Sequence, residues 1–156
     1  MHGLHLTADL SDCPVARPVM TEPEALRTLC RTAVRAAGLN VVGELFHRFA
    51  AAPGASAAEP VGITGVVLLA ESHMAVHTWP EIAAVTLDVY VCNFGTDNSA
   101  RAHALLAALI EAFAPGRVER HELERGAVRA ERWAAPEPAR IPSGDRPMYA
   151  SDEGLS

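Results

Sequence analysis

The stretch LLAESHMAVHTWPE, residues 68–81, decides how this chain is read. Its ends have the composition of buried strands, yet Glu71, Ser72, His73 and His77 form a polar knot inside it. Apolar runs bounded by turn signals predict strands, here Val61–Ala70 and Met74–Thr78. Pro80 ends the second, because proline has no N–H to give to a ladder. The residues alone leave four readings of the knot open. It is a sharp corner with serine and glutamate at the turn. It is a hydrolase nucleophile, Ser72 beside His73, although no G-x-S-x-G elbow surrounds it and Ser72 starts no helix. It is a metal pair, His73 and His77, although these sit on a strand without H-E-x-x-H or paired cysteines. Or it is a serine that cleaves its own chain.

Outward from the knot, the pattern is regular. The run AAVTLDVYVC, residues 83–92, alternates strictly. Val85, Leu87, Val89 and Val91 share one face, and Thr86, Asp88, Tyr90 and Cys92 the other. Gly3–Leu10 predicts a first strand, and NVVGELFHRF, residues 40–49, another. A helix is expected over residues 21–39, opened by a Thr21/Glu24 capping box and stopped by Gly38. Its apolar face is Leu26, Leu29, Cys30, Ala33, Val34 and Ala37. A second helix is expected over residues 95–113, opened by Thr96 or Asp97. Residues 117–126 read as a polar edge strand. The order β-α-β-β-β-β-α-β predicts an α+β fold: a two-layer sandwich, with an antiparallel or mixed sheet and both helices packed on one face. One domain is expected over residues 1–127. Residues 50–60 read as an exposed small-residue loop, and residues 128–156 as a largely irregular tail.

The formal net charge of −6 disfavours nucleic acid and anionic membranes as partners. No apolar run reaches the roughly 18–20 residues of a membrane helix, and residues 1–12 lack a secretory pattern. The cytoplasm is therefore the expected location. The three cysteines are odd in number and lack metal-site spacing, so neither a disulfide framework nor a metal is expected. Cys30 reads as a small core residue. All 13 basic residues are arginine. Without lysine the chain cannot bind pyridoxal phosphate or a carbonyl substrate as a lysine Schiff base. Amine chemistry would need another electrophile.

The fourth reading supplies one. A serine hydroxyl at a strained turn adds to the preceding carbonyl, and the peptide becomes an ester. A base removes the serine α-proton and the ester oxygen leaves with the preceding residue. Hydrolysis of the remaining dehydroalanine releases ammonia and leaves a pyruvoyl group. This requires a bend, an oxyanion donor and a nearby base. A protein-bound ketone of this kind forms a Schiff base with an amine and acts as an electron sink.

AESHMAVHTWPE, residues 70–81, resembles the signature of prokaryotic S-adenosylmethionine decarboxylases, small pyruvoyl enzymes of polyamine synthesis. Its departures from the common form are conservative, Met74 for leucine and Val76 for isoleucine. LHLTADL, FHRF, TLDVYVC and VERHELERG resemble other strands of that family, in the same order, over about residues 4–126. The resemblance implies cleavage between Glu71 and Ser72, with Ser72 becoming the pyruvoyl cofactor. It makes His77 the base of maturation and Cys92 the donor that protonates the carbanion. Phe49 would stack on adenine, Glu81 would lie near the ribose, and Thr64 would support processing where the family often has serine. It further implies S-adenosylmethionine as substrate, spermidine synthesis as the purpose, and a homodimer of processed chain pairs. It assigns His73 no chemical role and leaves Trp79 to packing. The rival readings are a pyruvoyl-dependent ornithine or arginine decarboxylase on the same scaffold, and an unprocessed, inactive homologue with a binding role.

Overall fold

The structure, a computed structural model, describes residues 2–50, 54, 56 and 60–126. The expected tail, and most of the loop between Ala50 and Pro60, lie outside the described residues. The elements are β1 (Gly3–Ser11), α1 (Pro23–Ala36), β2 (Val41–Arg48), β3 (Ile63–Leu69), β4 (Ser72–Trp79), β5 (Ala84–Cys92), α2 (Ser99–Phe113) and β6 (Arg117–Arg125). Single 3-10 turns at Pro18–Met20 and Pro80–Ile82 shape two of the connections.

The six strands form one sheet in the order β2-β3-β4-β5-β1-β6, and every pairing is antiparallel. Strand alternation sends Leu4, Leu6, Ala8 and Leu10 of β1 and the valine–leucine stripe of β5 to one face. Met74, Val76 and Thr78 of β4 join them, with Ile63, Val67 and Leu69 of β3. All are buried. They form a single core with Leu26, Cys30 and Val34 of α1 and with Leu105, Leu109 and Phe113 of α2. The two-layer α+β sandwich expected from the element order is the observed architecture, and the sheet is wholly antiparallel.

Three boundaries differ from the sequence expectations. No capping box forms at Thr21: α1 begins at Pro23 after Glu22, with no side-chain cap. Thr21 instead ends the 3-10 turn of Pro18–Met20. α2 begins at Ser99, with Asn98 before it, rather than at Thr96 or Asp97. β4 begins at Ser72 rather than Met74, so Glu71 of the polar knot lies in the turn between β3 and β4 while Ser72, His73 and His77 belong to β4. His73 and His77 occupy alternate positions on the sheet face that no helix covers. Gly38 does end α1. It has φ 73°, and the Leu39 N–H beyond it donates to the Val34 carbonyl.

Thr78 is the one fully buried polar side chain among the described residues. Its Oγ1 accepts from the Ile63 N–H and donates to the Met20 carbonyl, both at 2.8 Å. It therefore ties β3, β4 and the turn before α1 together. Gly62 makes the close approach possible, since a Cβ there would sit 1.9 Å from the Thr78 carbonyl oxygen. Thr78→Val keeps the shape but strands a buried donor and a buried acceptor. We expect it to destabilise the fold by about 1–3 kcal/mol, read from urea unfolding midpoints. An unchanged midpoint would remove Thr78 from the forces that hold this corner.

Candidate active site

β3 and β4 are joined by Ala70 and Glu71, a tight turn in which Glu71 has φ 60°. A non-glycine residue in the left-handed region costs roughly 1–2 kcal/mol. The strain sits at the residue whose carbonyl precedes Ser72. Across the sheet from this turn is the end of β5. The Cys92 N–H donates to the Ser72 Oγ at 3.1 Å, which joins residues 20 apart in sequence. Cys92 is 7% exposed. The structure thus brings together Glu71, Ser72 and Cys92.

The remaining candidates form a second group at the other end of the strands. Thr64 Oγ1 and His77 Nδ1 share a hydrogen bond at 2.9 Å, as expected of directly opposed residues on β3 and β4. The Phe49 and Trp79 rings stack in a tilted pair with centroids 5.4 Å apart. Glu81 is exposed in the 3-10 turn that follows. His77 is five positions beyond Ser72 on one continuous strand. At about 3.3–3.4 Å per residue the two Cα atoms are about 17 Å apart. Within one chain the two groups therefore do not meet.

Between them, on the same uncovered face, lies a cluster that the sequence reading missed. His5 Nε2 and Asp88 Oδ2 are hydrogen-bonded at 2.6 Å, and His73 Nε2 lies 3.6 Å from Asp88 Oδ1. That Oδ1 is buried without a hydrogen-bond partner. Tyr90 packs against both imidazoles, and the Arg125 guanidinium lies over its ring. The signal was available. Alternation puts Asp88 and Tyr90 on the polar face of β5, and β1 carries His5 at the matching position. What the pattern lacked was the β1–β5 register that pairs His5 with Tyr90.

The uncovered face also carries apolar side chains. Leu45 of β2 is 63% exposed and Leu68 of β3 is 50% exposed. By strand alternation Val66 and Ala75 belong to the same surface, and both are only partly buried. Among the described residues no group of three or more His, Cys, Asp or Glu side chains is arranged to hold a metal ion. No helix among them is long and apolar enough to cross a membrane.

Comparison with known proteins converges on one family. A family model described as S-adenosylmethionine decarboxylase matches residues 4–126. The chain is 35% identical over 129 residues to the S-adenosylmethionine decarboxylase proenzyme of Aquifex aeolicus, covering 83% of this chain and 84% of that relative. It is 31% identical to the proenzyme of the same name from Archaeoglobus fulgidus, covering 80% of this chain and 97% of the relative. The crystal structure of the Aquifex aeolicus adenosylmethionine decarboxylase superposes with a TM-score of 0.67 at 33% identity, covering 81% of this chain and 92% of that one.

The three cysteines are all buried and free. Burial, reinforced by the negative charge of Glu44, pushes the Cys30 thiol up to about 12. Burial and then Asp12 raise that of Cys13. A raised pKa means less thiolate at any lower pH, and at pH 8 the Cys30 thiolate fraction is on the order of 10⁻⁴. Iodoacetamide at pH 8 is expected to leave Cys30 unmodified in the folded protein and to modify it after denaturation, as read by peptide mass mapping. Modification of Cys30 in the folded protein at the denatured rate would contradict the buried-thiol assignment.

Proposed function

The chain belongs to the S-adenosylmethionine decarboxylase family, and from that membership we propose that it is a self-processing, pyruvoyl-dependent carboxy-lyase. It converts S-adenosylmethionine to its decarboxylated form, the aminopropyl donor for spermidine synthesis, in the cytoplasm. The observation that carries this reading is the Glu71–Ser72 turn: a strained left-handed residue before a serine whose Oγ already accepts a hydrogen bond. The names of the relatives favour S-adenosylmethionine over ornithine or arginine. An inactive homologue would have no reason to keep Ser72, His77 and Cys92 together with that strained turn.

The residues present fit a pyruvoyl group derived from Ser72. Glu71 strains the peptide that must open, so conversion to an ester relieves a conformation the chain otherwise holds at a cost. The Ser72 Oγ adds to the Glu71 carbonyl, the Glu71–Ser72 C–N bond breaks, and Ser72 gains a free amino group. His77, oriented by its hydrogen bond to Thr64, takes the Ser72 α-proton, and the ester oxygen departs as part of the Glu71 carboxylate. The pyruvoyl carbonyl supplies an electron sink for the pair of electrons left when carbon dioxide departs. Cys92 returns a proton to the substrate. The Phe49–Trp79 pair offers an aromatic platform for the adenine, and Glu81, exposed two residues after Trp79, would accept from ribose hydroxyls.

These roles need a second copy of the chain. An imidazole removes a proton only within hydrogen-bond reach or through one water, and about 17 Å of strand separates His77 from Ser72. The two groups lie at opposite ends of β4, His77 on the uncovered face and Ser72 where the strand begins, with the parity of Met74 and Val76. A partner related by a two-fold axis running across the strands would set the His77 end of each copy over the Ser72 end of the other. Leu45, Val66, Leu68 and Ala75 would then be covered by the second sheet. The functional unit is a homodimer of processed chain pairs with two composite sites.

Two experiments test this reading. Carboxyl-labelled S-adenosylmethionine should release labelled carbon dioxide, and labelled ornithine and arginine should not. Preferential release from either amino acid would keep the chemistry and overturn the substrate. The composite site is tested by co-expressing Ser72→Ala and His77→Ala chains. Alone, the first stays uncut and the second is cut slowly or not at all. Together, the His77→Ala chain should be cut, because its Ser72 meets the intact His77 of the other chain. No cutting in the mixture would put His77 to work within its own chain and sink the shared site.

A further inference from the structure

Asn98 stands immediately before α2, where an amide oxygen ordinarily accepts from the free N–H groups of the first turn. It makes no such bond. Its Nδ2 donates instead to the carbonyl of Cys92 at 3.0 Å and, more weakly, to that of Thr96 at 3.4 Å. Its Oδ1 accepts from Arg101 at 3.0 Å. These neighbours fix which way the amide points. Flipped, it would set its oxygen against two carbonyl oxygens and its NH₂ against a guanidinium.

The rest of the turn keeps Asn98 at this task. Its own N–H donates to Asn93 Oδ1 at 2.8 Å, and Asn93 Nδ2 donates to Ser99 Oγ at 3.0 Å. The Asn93 N–H is anchored on the His2 carbonyl. Asp97 takes over the helix end, its Oδ1 accepting from the Ser99 N–H at 2.9 Å. The hydrogen bonds to Ser99 hold the Asp97 carboxyl below the usual carboxylate range.

Cys92 is thus held from both sides, by Ser72 Oγ on its N–H and by Asn98 on its carbonyl. Maturation removes the first hold, since the Ser72 oxygen leaves with Glu71. The second remains. Resting on the reading above, in which Cys92 donates the proton, we propose that Asn98 is a positioning residue that aims the Cys92 thiol at one carbon rather than another. After carbon dioxide leaves, the remaining electron pair can take the thiol proton at the substrate α-carbon. That gives the decarboxylated product and a thiolate, which regains a proton from solvent. Protonation at the carbon derived from the Ser72 α-carbon, followed by hydrolysis, instead leaves an N-terminal alanine on the chain and an aldehyde from the substrate. That outcome destroys the enzyme. Holding the Cys92 peptide keeps the thiol on the productive side.

Asn98→Asp tests this while sparing the helix, because aspartate is as good an N-cap as asparagine. It turns the donor facing the Cys92 carbonyl into an acceptor. The variant is compared with the parent and with Cys92→Ala for extent of cutting, melting temperature, and the mass of the C-terminal chain after a counted number of turnovers. Asn98→Asp should be cut fully and melt somewhat below the parent, since an oxygen now faces the Cys92 carbonyl, yet form alanine-headed chain per turnover roughly tenfold more often. A parental ratio in Asn98→Asp overturns the proposal. If Cys92→Ala also keeps the parental ratio, the proton-donor reading falls with it, and the two failures are told apart. Arg101→Gln, which removes the cation that orients the amide, serves if Asn98→Asp does not fold: a raised ratio supports the proposal and a parental one overturns it. A second readout needs no ketone. In the uncut Ser72→Ala chain, adding Asn98→Asp should speed alkylation of Cys92 by iodoacetamide, and an unchanged rate would count against the anchor.

Discussion

The register of β4 between β3 and β5 is the constraint on which the rest of the molecule depends. Side chains on a strand alternate, so a slip of one residue would carry Met74 and Val76 out to solvent and drive His73 and His77 into the core. Two things hold the register. The apolar positions of β4 have no other face to bury, since α1 and α2 cover one side of the sheet only. Thr78 then pins the strand with a buried hydroxyl that serves two backbone partners. With β4 fixed, Ser72 must meet the end of β5 and His77 must meet Thr64. The chemistry is laid out by the pleat.

Much of the fold was legible because burial on one side imposes a period. The stripe of β5 and the face of α1 could be read residue by residue, and β6 could be recognised from its prevailing polarity, broken only by Val118 and Leu123. The misread boundaries have physical causes. Thr21 and Glu24 have the spacing of a capping box, but Pro18–Met20 forms its own turn and carries Thr21 out of position. At α2 the side chain of Asn98 is spent on Cys92, so the residue that precedes the helix does not look like a cap in use. The polar knot looked like an interruption because its residues are polar. Glu71 does sit at a turn, but His73 and His77 share the open face of a strand that has already begun at Ser72.

The site was legible in a different way. Ser72, His77 and Cys92 could be named from resemblance, but spacing alone said little about their arrangement. The approach of Cys92 to Ser72 depends on β4–β5 register, which no local pattern encodes. The separation of His77 from Ser72 was within reach of simple arithmetic once both lay on one strand. Placing the strand's start at Met74 concealed it. The cluster of His5, Asp88 and His73 escaped because β1, which brings His5, is far in sequence from the consecutive strands β4 and β5.

β6 has a further effect, on how large an assembly can become. Every residue of this outer strand is exposed, and arginine, glutamate and histidine crowd both of its faces. An open strand edge is a template on which another chain can extend the sheet, and charge along it is the usual deterrent. A protein that joins its copies through the flat of the sheet needs that deterrent, because growth along the edge would compete with pairing across the face. In the proposed face-to-face pair, the charged β6 edge would act as a terminator of polymerisation and disfavour growth into a fibre.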